Sequence, residues 1–226
     1  MNESIRAGTL PPRRMFGWLE AVFDIGYLCL ALFIGVLILQ NASGRVQTLA
    51  GIMALILAGG DMFHLLPRIA AAVTGDGRRF QKAMGLGKLV TSLTMTVFYV
   101  LLFHIGAMLF PFASARAWTA VIYALAASRI ALCFFSQNRW YDEKPPVSWA
   151  VFRNIPFVLL GVAVAVLWGV QAQAVPGLRR MWLAIALSFA FYMPVVLFVN
   201  ANRKLGMLMI PKSCAYLWIL YLCASI

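Results

Sequence analysis

The stretch VQTLAGIMALILAGGDMFHLL, residues 46–66, decides the fold. From Leu49 to Gly60 it carries no charged side chain. About 20 residues of apolar helix cross a bilayer core of roughly 30 Å, so the stretch predicts a membrane-spanning helix. It closes with Asp61 and His64, three residues apart and therefore on one helix face. Ionisable side chains inside a spanning helix are costly and usually functional, so this pair indicates a site.

Six further stretches are long and apolar enough to span. The seven predicted spans are residues 16–40, 46–66, 84–110, 117–136, 150–171, 180–200 and 206–225. The sequence therefore predicts an all-α, polytopic integral membrane protein with one domain over residues 1–226 and a short cytoplasmic leader at 1–15. The first span is longer than the apolar region of a cleaved signal peptide and is interrupted by Glu20 and Asp24, so we expect it to be retained. The long polar connections are predicted at 68–83 and 137–149.

The distribution of charge predicts the orientation. The net charge is +12, yet only 12% of residues are charged, about half the usual share for a soluble domain. The basic residues lie mainly between spans, which favours contact with anionic lipid headgroups and argues against a nucleic-acid partner. Eleven Lys and Arg residues fall on one side of the predicted spans and four on the other. We therefore expect a cytoplasmic N-terminus, an external C-terminus and a multi-pass location in a cell membrane, with the bacterial inner membrane as the predicted compartment.

Nearly all ionisable residues within the spans fall in the cytoplasmic half, which predicts a polar cavity open to that side. Basic groups outnumber acids there, so an anionic ligand is favoured. The predicted catalytic residues are Asp61 and His64, and the predicted substrate-binding residues are Lys88, Ser92, Arg129, Arg153, Asn154, Tyr192, Lys212 and Tyr216. The open alternative is a set of structural ion pairs with long basic side chains reaching the headgroups.

Several familiar kinds of site do not fit. The two histidines, His64 and His104, fall in opposite leaflets, and the four cysteines form no CxxC pair, so no zinc site, disulfide framework or cofactor is predicted. The segment GLGKLVTS, residues 85–92, lacks the glycine and the Ser or Thr that a phosphate-binding P-loop needs. A retinal protein is a weaker alternative, because the seventh span carries Lys212 but the third offers Lys88 and no acidic counterion.

The stretches LAGGDMFHLLP, residues 57–67, and FQKAMGLGKLVTSLTMTVFYVLLF, residues 80–103, resemble the YhhN or lysoplasmalogenase-like family of membrane hydrolases. The resemblance covers about fifty residues. It implies that Asp61 is catalytic and that the substrate is a lysolipid with a vinyl-ether bond. This chain has Lys88 where that family usually has a histidine, and no acid after Glu143 where the family has a late aspartate. The motifs RNIPF and MIPKSCAY are similar to those of an uncharacterised bacterial membrane-protein family and imply no activity.

These observations together predict an intramembrane enzyme, a non-zinc hydrolase that acts on an anionic lipid or lysolipid from the cytoplasmic leaflet. Asp61 would be the general base and His64 its partner. A transporter or binding protein for a small anion is the alternative, in which the same basic residues hold the ligand. Membrane lipid is the expected partner in both cases.

Overall fold

The computed structural model describes residues 12–110, 112, 114–171, 175–198 and 202–226, so the predicted leader lies largely outside the described residues. Within these ranges the chain is helical and contains no strand. The seven long helices are α1 (Pro12–Gln40), α2 (Arg45–Thr74), α3 (Gln81–Leu109), α4 (Ala115–Phe134), α5 (Val147–Gln171), α6 (Met181–Phe198) and α7 (Met209–Ala224). Short 3-10 helices lie at Ser136–Asn138, Pro176–Leu178 and Arg203–Leu208.

In the described part of the chain, seven helical segments are long and apolar enough to cross a membrane, which confirms the predicted all-helical fold. Large apolar side chains remain exposed on the outside of the bundle, among them Leu19, Val22, Phe33 and Val170, each more than 60% exposed. A water-soluble domain avoids an apolar surface of this extent, whereas the lipid phase favours it. The architecture is therefore that of a multi-pass membrane protein.

The second helix is longer than predicted, and residues 68–74, expected in a polar connection, are helical. Pro67 lies inside α2 and cannot donate the usual main-chain hydrogen bond to the carbonyl of Phe63. The helix continues beyond it to Gly75, whose φ of 75° and hydrogen bond to the Ala71 carbonyl end the helix. The predicted end of the span was wrong here, because a helix packed in a membrane tolerates a proline and can extend beyond its apolar residues. The connection to α3 is thus much shorter than predicted.

Each helix packs against the next along the chain, and α7 returns to contact α1 and α2. Helix α3 also packs against α5, so it lies in the interior of the arrangement. Its buried aromatic side chains Phe98 and Tyr99 meet Phe157 of α5 and Tyr216 of α7 edge-to-face. This apolar core brings side chains of α3, α5 and α7, which are far apart in the sequence, into contact.

Two glycines let α2 and α3 approach closely. A methyl group at Gly60 would lie 2.6 Å from Cβ of Thr94, and one at Gly87 would lie 2.6 Å from Cα of His64. Thr91 uses the close approach to donate a 2.9 Å hydrogen bond to the carbonyl of Gly60. Small residues at helix contacts are the usual means of close packing in membranes. This interface fixes the position of His64 relative to α3.

Candidate functional site

Polar side chains from all seven helices meet inside the bundle. We call this set the polar network; its members are Asp24 and Tyr27 of α1, Asp61 and His64 of α2, Lys88 and Thr96 of α3, Arg129 of α4, Arg153 and Asn154 of α5, Tyr192 of α6, and Lys212 and Tyr216 of α7. The structure thus brings together nearly all of the predicted site residues. The contacts of each residue indicate whether it is held by the protein or left available to a ligand.

Arg129 forms the centre of the network and is only 1% exposed. Its guanidinium donates to Oγ1 of Thr96 at 3.0 Å, to the main-chain carbonyl of Arg153 at 3.0 Å and to Oδ1 of Asn154 at 2.8 Å. Its Cζ lies 3.7 Å from the ring centroid of Phe157, a cation–π contact. All of these partners are neutral groups, so Arg129 joins α3, α4 and α5 without neutralising its own charge.

Arg153 is held by the connection between α4 and α5. It donates a 2.9 Å hydrogen bond to Oδ1 of the buried Asn138, and its Cζ lies 4.2 Å from the ring centroid of Trp140. The amide of Asn138 in turn donates to the carbonyls of Leu132, Cys133 and Phe135 at the end of α4. The start of the connection predicted at residues 137–149 is therefore folded against the bundle, where it orients Arg153.

Two lysines complete the set of cations. Lys212 lies over two aromatic faces, with Nζ 4.9 Å from the ring centroid of Tyr192 and 5.1 Å from that of Tyr216. Lys88 lies close enough to Arg153 to interact electrostatically, and both lysines lie within electrostatic range of His64. The lysines are half-buried, so they are more accessible than Arg129.

Asp61 is 8% exposed and accepts a 2.7 Å hydrogen bond from the hydroxyl of Tyr27. Lys212 and Asp24 are near enough to interact with it electrostatically. No hydrogen bond joins Asp61 to its predicted partner His64 among the described contacts; the hydroxyl of Tyr27 is the donor to Asp61. His64 is half-buried, and its Nδ1 has no hydrogen-bond partner in the described part of the chain.

The described ion pairs lie outside the polar network. Arg68 pairs with Glu20 between α2 and α1, and Arg139 pairs with Asp142 on an exposed turn. None of the four network cations lies within 4.0 Å of a carboxylate in the described residues. Uncompensated cations inside a bundle attract an anion, because charge-assisted hydrogen bonds are strongest where water is excluded.

Two predicted residues have mainly structural contacts. Ser92 donates a 2.8 Å hydrogen bond to the Lys88 carbonyl of its own helix. Tyr216 is buried and packs edge-to-face on Phe98, although it also lies under Lys212.

Sequence reasoning missed Tyr27 and Thr96, and it gave Asp24 and Asn138 no role in the site. Asp24 carries a usable signal, a carboxylate within an apolar run. Tyrosine and threonine in an apolar helix give no such signal, because they are common in ordinary cores.

Two grooves lie outside the polar network. One of about 450 Å³ lies between α5 and α6 and is lined by apolar residues that include Val162, Ala165 and Trp182. The other, of about 400 Å³, lies between α2 and α3 beside Met62 and Leu86. Neither is lined by charged side chains. An open polar cavity among the network cations therefore stays a prediction.

Among the residues that the structure describes, no group of three or more His, Cys, Asp or Glu side chains could hold a metal ion. No family model, curated protein or solved structure matches the chain. The chemistry of the polar network is consequently the main guide to what the protein does.

Proposed function

We propose that the chain is a membrane-embedded protein that binds an anionic, lipid-like substrate at the polar network and hydrolyses it. The observation that carries the proposal is the convergence of Lys88, Arg129, Arg153 and Lys212 without a carboxylate in ion-pair distance among the described residues. An anionic headgroup would supply the missing negative charge. The half-buried Lys88, Arg153 and Lys212 are the residues that would bind it, whereas the buried Arg129 would position Asn154 and Tyr192.

In this proposal Asp61 is the general base. Its carboxylate would take a proton from a water molecule whose oxygen bonds to the carbon of the scissile C–O bond. As that C–O bond breaks, the Asp61 carboxyl group would return the proton to the departing oxygen, and Tyr27 would hold the carboxylate in position. His64 would assist, because its buried Nδ1 has no hydrogen-bond partner among the described residues and could accept a hydrogen bond from the same water. Lys212 lies near Asp61 and would keep the substrate anion next to the base.

The resemblance to the lysoplasmalogenase-like hydrolases supports a lysolipid as the substrate class, with Asp61 in the catalytic role. The excess of basic residues on one side of the helices supports a cytoplasmic N-terminus and an external C-terminus. With that orientation, the polar network faces the cytoplasmic leaflet of a cell membrane, which we propose to be a bacterial inner membrane.

A second candidate is a carrier for a small anion. It is favoured by the buried carboxylates Asp24 and Asp61, since intramembrane acids often mark ion or proton pathways in carriers. The same cations would then form a transient binding site rather than a clamp for catalysis.

The test uses purified protein in detergent with two lysophospholipids that share a headgroup, one with a vinyl-ether tail and one with an ester tail. Release of the free tail is measured for the wild type and for Asp61→Asn. We expect turnover of at least one lipid and a loss of about 10²- to 10⁴-fold in the variant, the usual contribution of a general base. Asp142→Asn, which removes an exposed acid, is the matched control and should keep full activity.

Uptake into proteoliposomes separates the two candidates. Radiolabelled inorganic phosphate and a labelled small carboxylate serve as probes. Lipid turnover without uptake of either probe supports the hydrolase, and uptake without turnover supports the carrier. A hydrolase role is ruled out if the wild type turns over neither lipid, and the role of Asp61 as general base is ruled out if Asp61→Asn turns over the lipid as fast as the wild type.

A further inference from the structure

Two carboxylates are buried between α1 and α2. Asp24 lies three residues before Tyr27 on α1, and the hydroxyl of Tyr27 reaches Asp61 of α2. Asp24 is 6% exposed and Asp61 is 8% exposed, and they lie close enough to repel each other when both are charged. Asp61 accepts a hydrogen bond from the hydroxyl of Tyr27. Oδ2 of Asp24 is buried without a hydrogen-bond partner among the described residues.

The groups around the pair do not balance two negative charges. On α1 and α2, Glu20 and Arg68 pair with each other. From α7, the neutral Tyr216 and the cation Lys212 face Asp61, and Lys212 is not within ion-pair distance of either carboxylate. The one cation that faces the pair from α7 therefore acts on Asp61. His64 lies further along α2, between Lys88 and Lys212, where a positive charge would be opposed by both lysines.

Two like charges cannot be held together at low cost where water is excluded. A buried carboxylate oxygen without a partner is also unfavourable when it is ionised, but a protonated carboxyl group can donate its own hydrogen bond. Both difficulties are removed when a single proton is added to the pair.

We propose that Asp24 and Asp61 form a proton-binding site that holds one exchangeable proton between them. One proton passes from a hydronium ion of the solvent to one carboxylate oxygen; an O–H bond of the hydronium breaks, a water molecule is left, and the pair then holds one neutral carboxyl group and one carboxylate. The site is distinct from the cations that would bind an anion. The two are adjacent through Lys212, so an anion that pairs with Lys212 would weaken its attraction for Asp61 and increase the affinity of the pair for a proton. That coupling, unlike the proton site itself, rests on the proposed function.

Infrared spectroscopy of the wild-type protein in lipid nanodiscs tests the site without any ligand, so its result is independent of the proposed function. We expect the carbonyl band of one protonated aspartic acid per chain at neutral pH. The band should shift when the aspartates carry ¹³C and stay when the glutamates carry it, and it should shift again in D₂O. This measurement requires no substitution and therefore does not depend on the folding of a variant.

Variants then locate the proton. The band should disappear in Asp24→Asn, because the remaining Asp61 accepts the Tyr27 hydroxyl and faces Lys212, and it should shift in Asp61→Asn, because the proton on Asp24 loses the neighbouring carboxylate. Glu20→Gln on the same helix is the matched control and should keep the band, since Glu20 is paired with Arg68. The proposal is overturned if the wild type has no such band, if the band persists unchanged in either aspartate variant, or if sodium ions abolish it at constant pH.

Discussion

Alanine at Gly87 should force α2 and α3 apart next to the polar network. The added methyl carbon would lie 2.6 Å from both Cα of His64 and the carbonyl carbon of Phe63. Non-bonded carbon atoms normally stay about 3.5 Å apart or more, so the helices must separate by roughly 1 Å. The neighbouring atoms belong to the main chain and cannot move as a flexible side chain would.

The loss in free energy of unfolding has two sources: overpacking at Gly87, and the contacts that weaken when α2 and α3 separate. Overpacking of a close contact costs about 1–3 kcal/mol and sometimes more. The hydrogen bond from Thr91 to Gly60 crosses the same interface, and loss of such a bond between membrane helices costs about 0.6 kcal/mol on average. We therefore expect Gly87→Ala to lower the free energy of unfolding by about 2–4 kcal/mol.

Unfolding in mixed micelles, followed by tryptophan fluorescence as denaturant is added, measures this change. Gly59→Ala is the matched control, because no atom lies within 4 Å of a methyl group there. Alanine is a better helix former than glycine, so the control should be neutral or up to about 1 kcal/mol more stable. If Gly87→Ala is as stable as Gly59→Ala, α2 and α3 do not pack as closely as described.

Three further outcomes follow from individual contacts. Tyr27→Phe leaves Asp61 without its hydrogen-bond donor and should lower the free energy of unfolding by about 1.5–3 kcal/mol. Tyr221→Phe, on the exposed surface, should not lower it, and a smaller loss in Tyr27→Phe would contradict the hydrogen bond between Tyr27 and Asp61. Asn138→Ala removes the group that caps α4 and holds Arg153 and should cost about 1–3 kcal/mol in the same assay, while Gln137→Ala, which is exposed, should change little. A lipid-soluble maleimide should label the two exposed cysteines and spare the two buried ones, as mass spectrometry of peptides can show; labelling of the buried pair at equal rate would contradict the helix orientations. The exposed pair is Cys29 and Cys214, and the buried pair is Cys133 and Cys223.

The existence and order of the seven helices follow from hydropathy alone, because apolar runs of about 20 residues have one stable arrangement in lipid. The end of α2 does not follow from it. Pro67 resembles a stop signal locally, yet α2 continues to Thr74. The glycines of residues 85–87 show the same limitation. The sequence around them excludes a P-loop but does not say why glycine is needed. The fold does, because Gly85 lies against the main chain of Trp140 and Gly87 lies against α2.

The charged members of the polar network could be predicted from the sequence, but their neutral partners could not. Charges such as Arg129 and Lys212 are conspicuous within apolar spans, and the fold brings them together. The partners that hold them are neutral residues, such as Thr96 and Asn138, which do not stand out in the sequence. The pairing of Asp61 with Tyr27 rather than His64 depends on how α1 packs on α2, and local spacing carries no information on that.

Equilibrium binding of two ligands with the same tail tests the anion site most directly. The affinity for a lysophospholipid whose headgroup carries one negative charge is compared with the affinity for the uncharged monoacylglycerol. Both affinities are measured for the wild type and for Lys212→Met. One charge-assisted hydrogen bond is worth about 1.5–3 kcal/mol, so the wild type should bind the anionic lipid about 10- to 100-fold more tightly, and Lys212→Met should lose most of that preference. Lys144→Met, at an exposed loop position, should retain it. Equal binding of the two lipids by the wild type, or an unchanged preference in Lys212→Met, would contradict a site for an anion in the polar network.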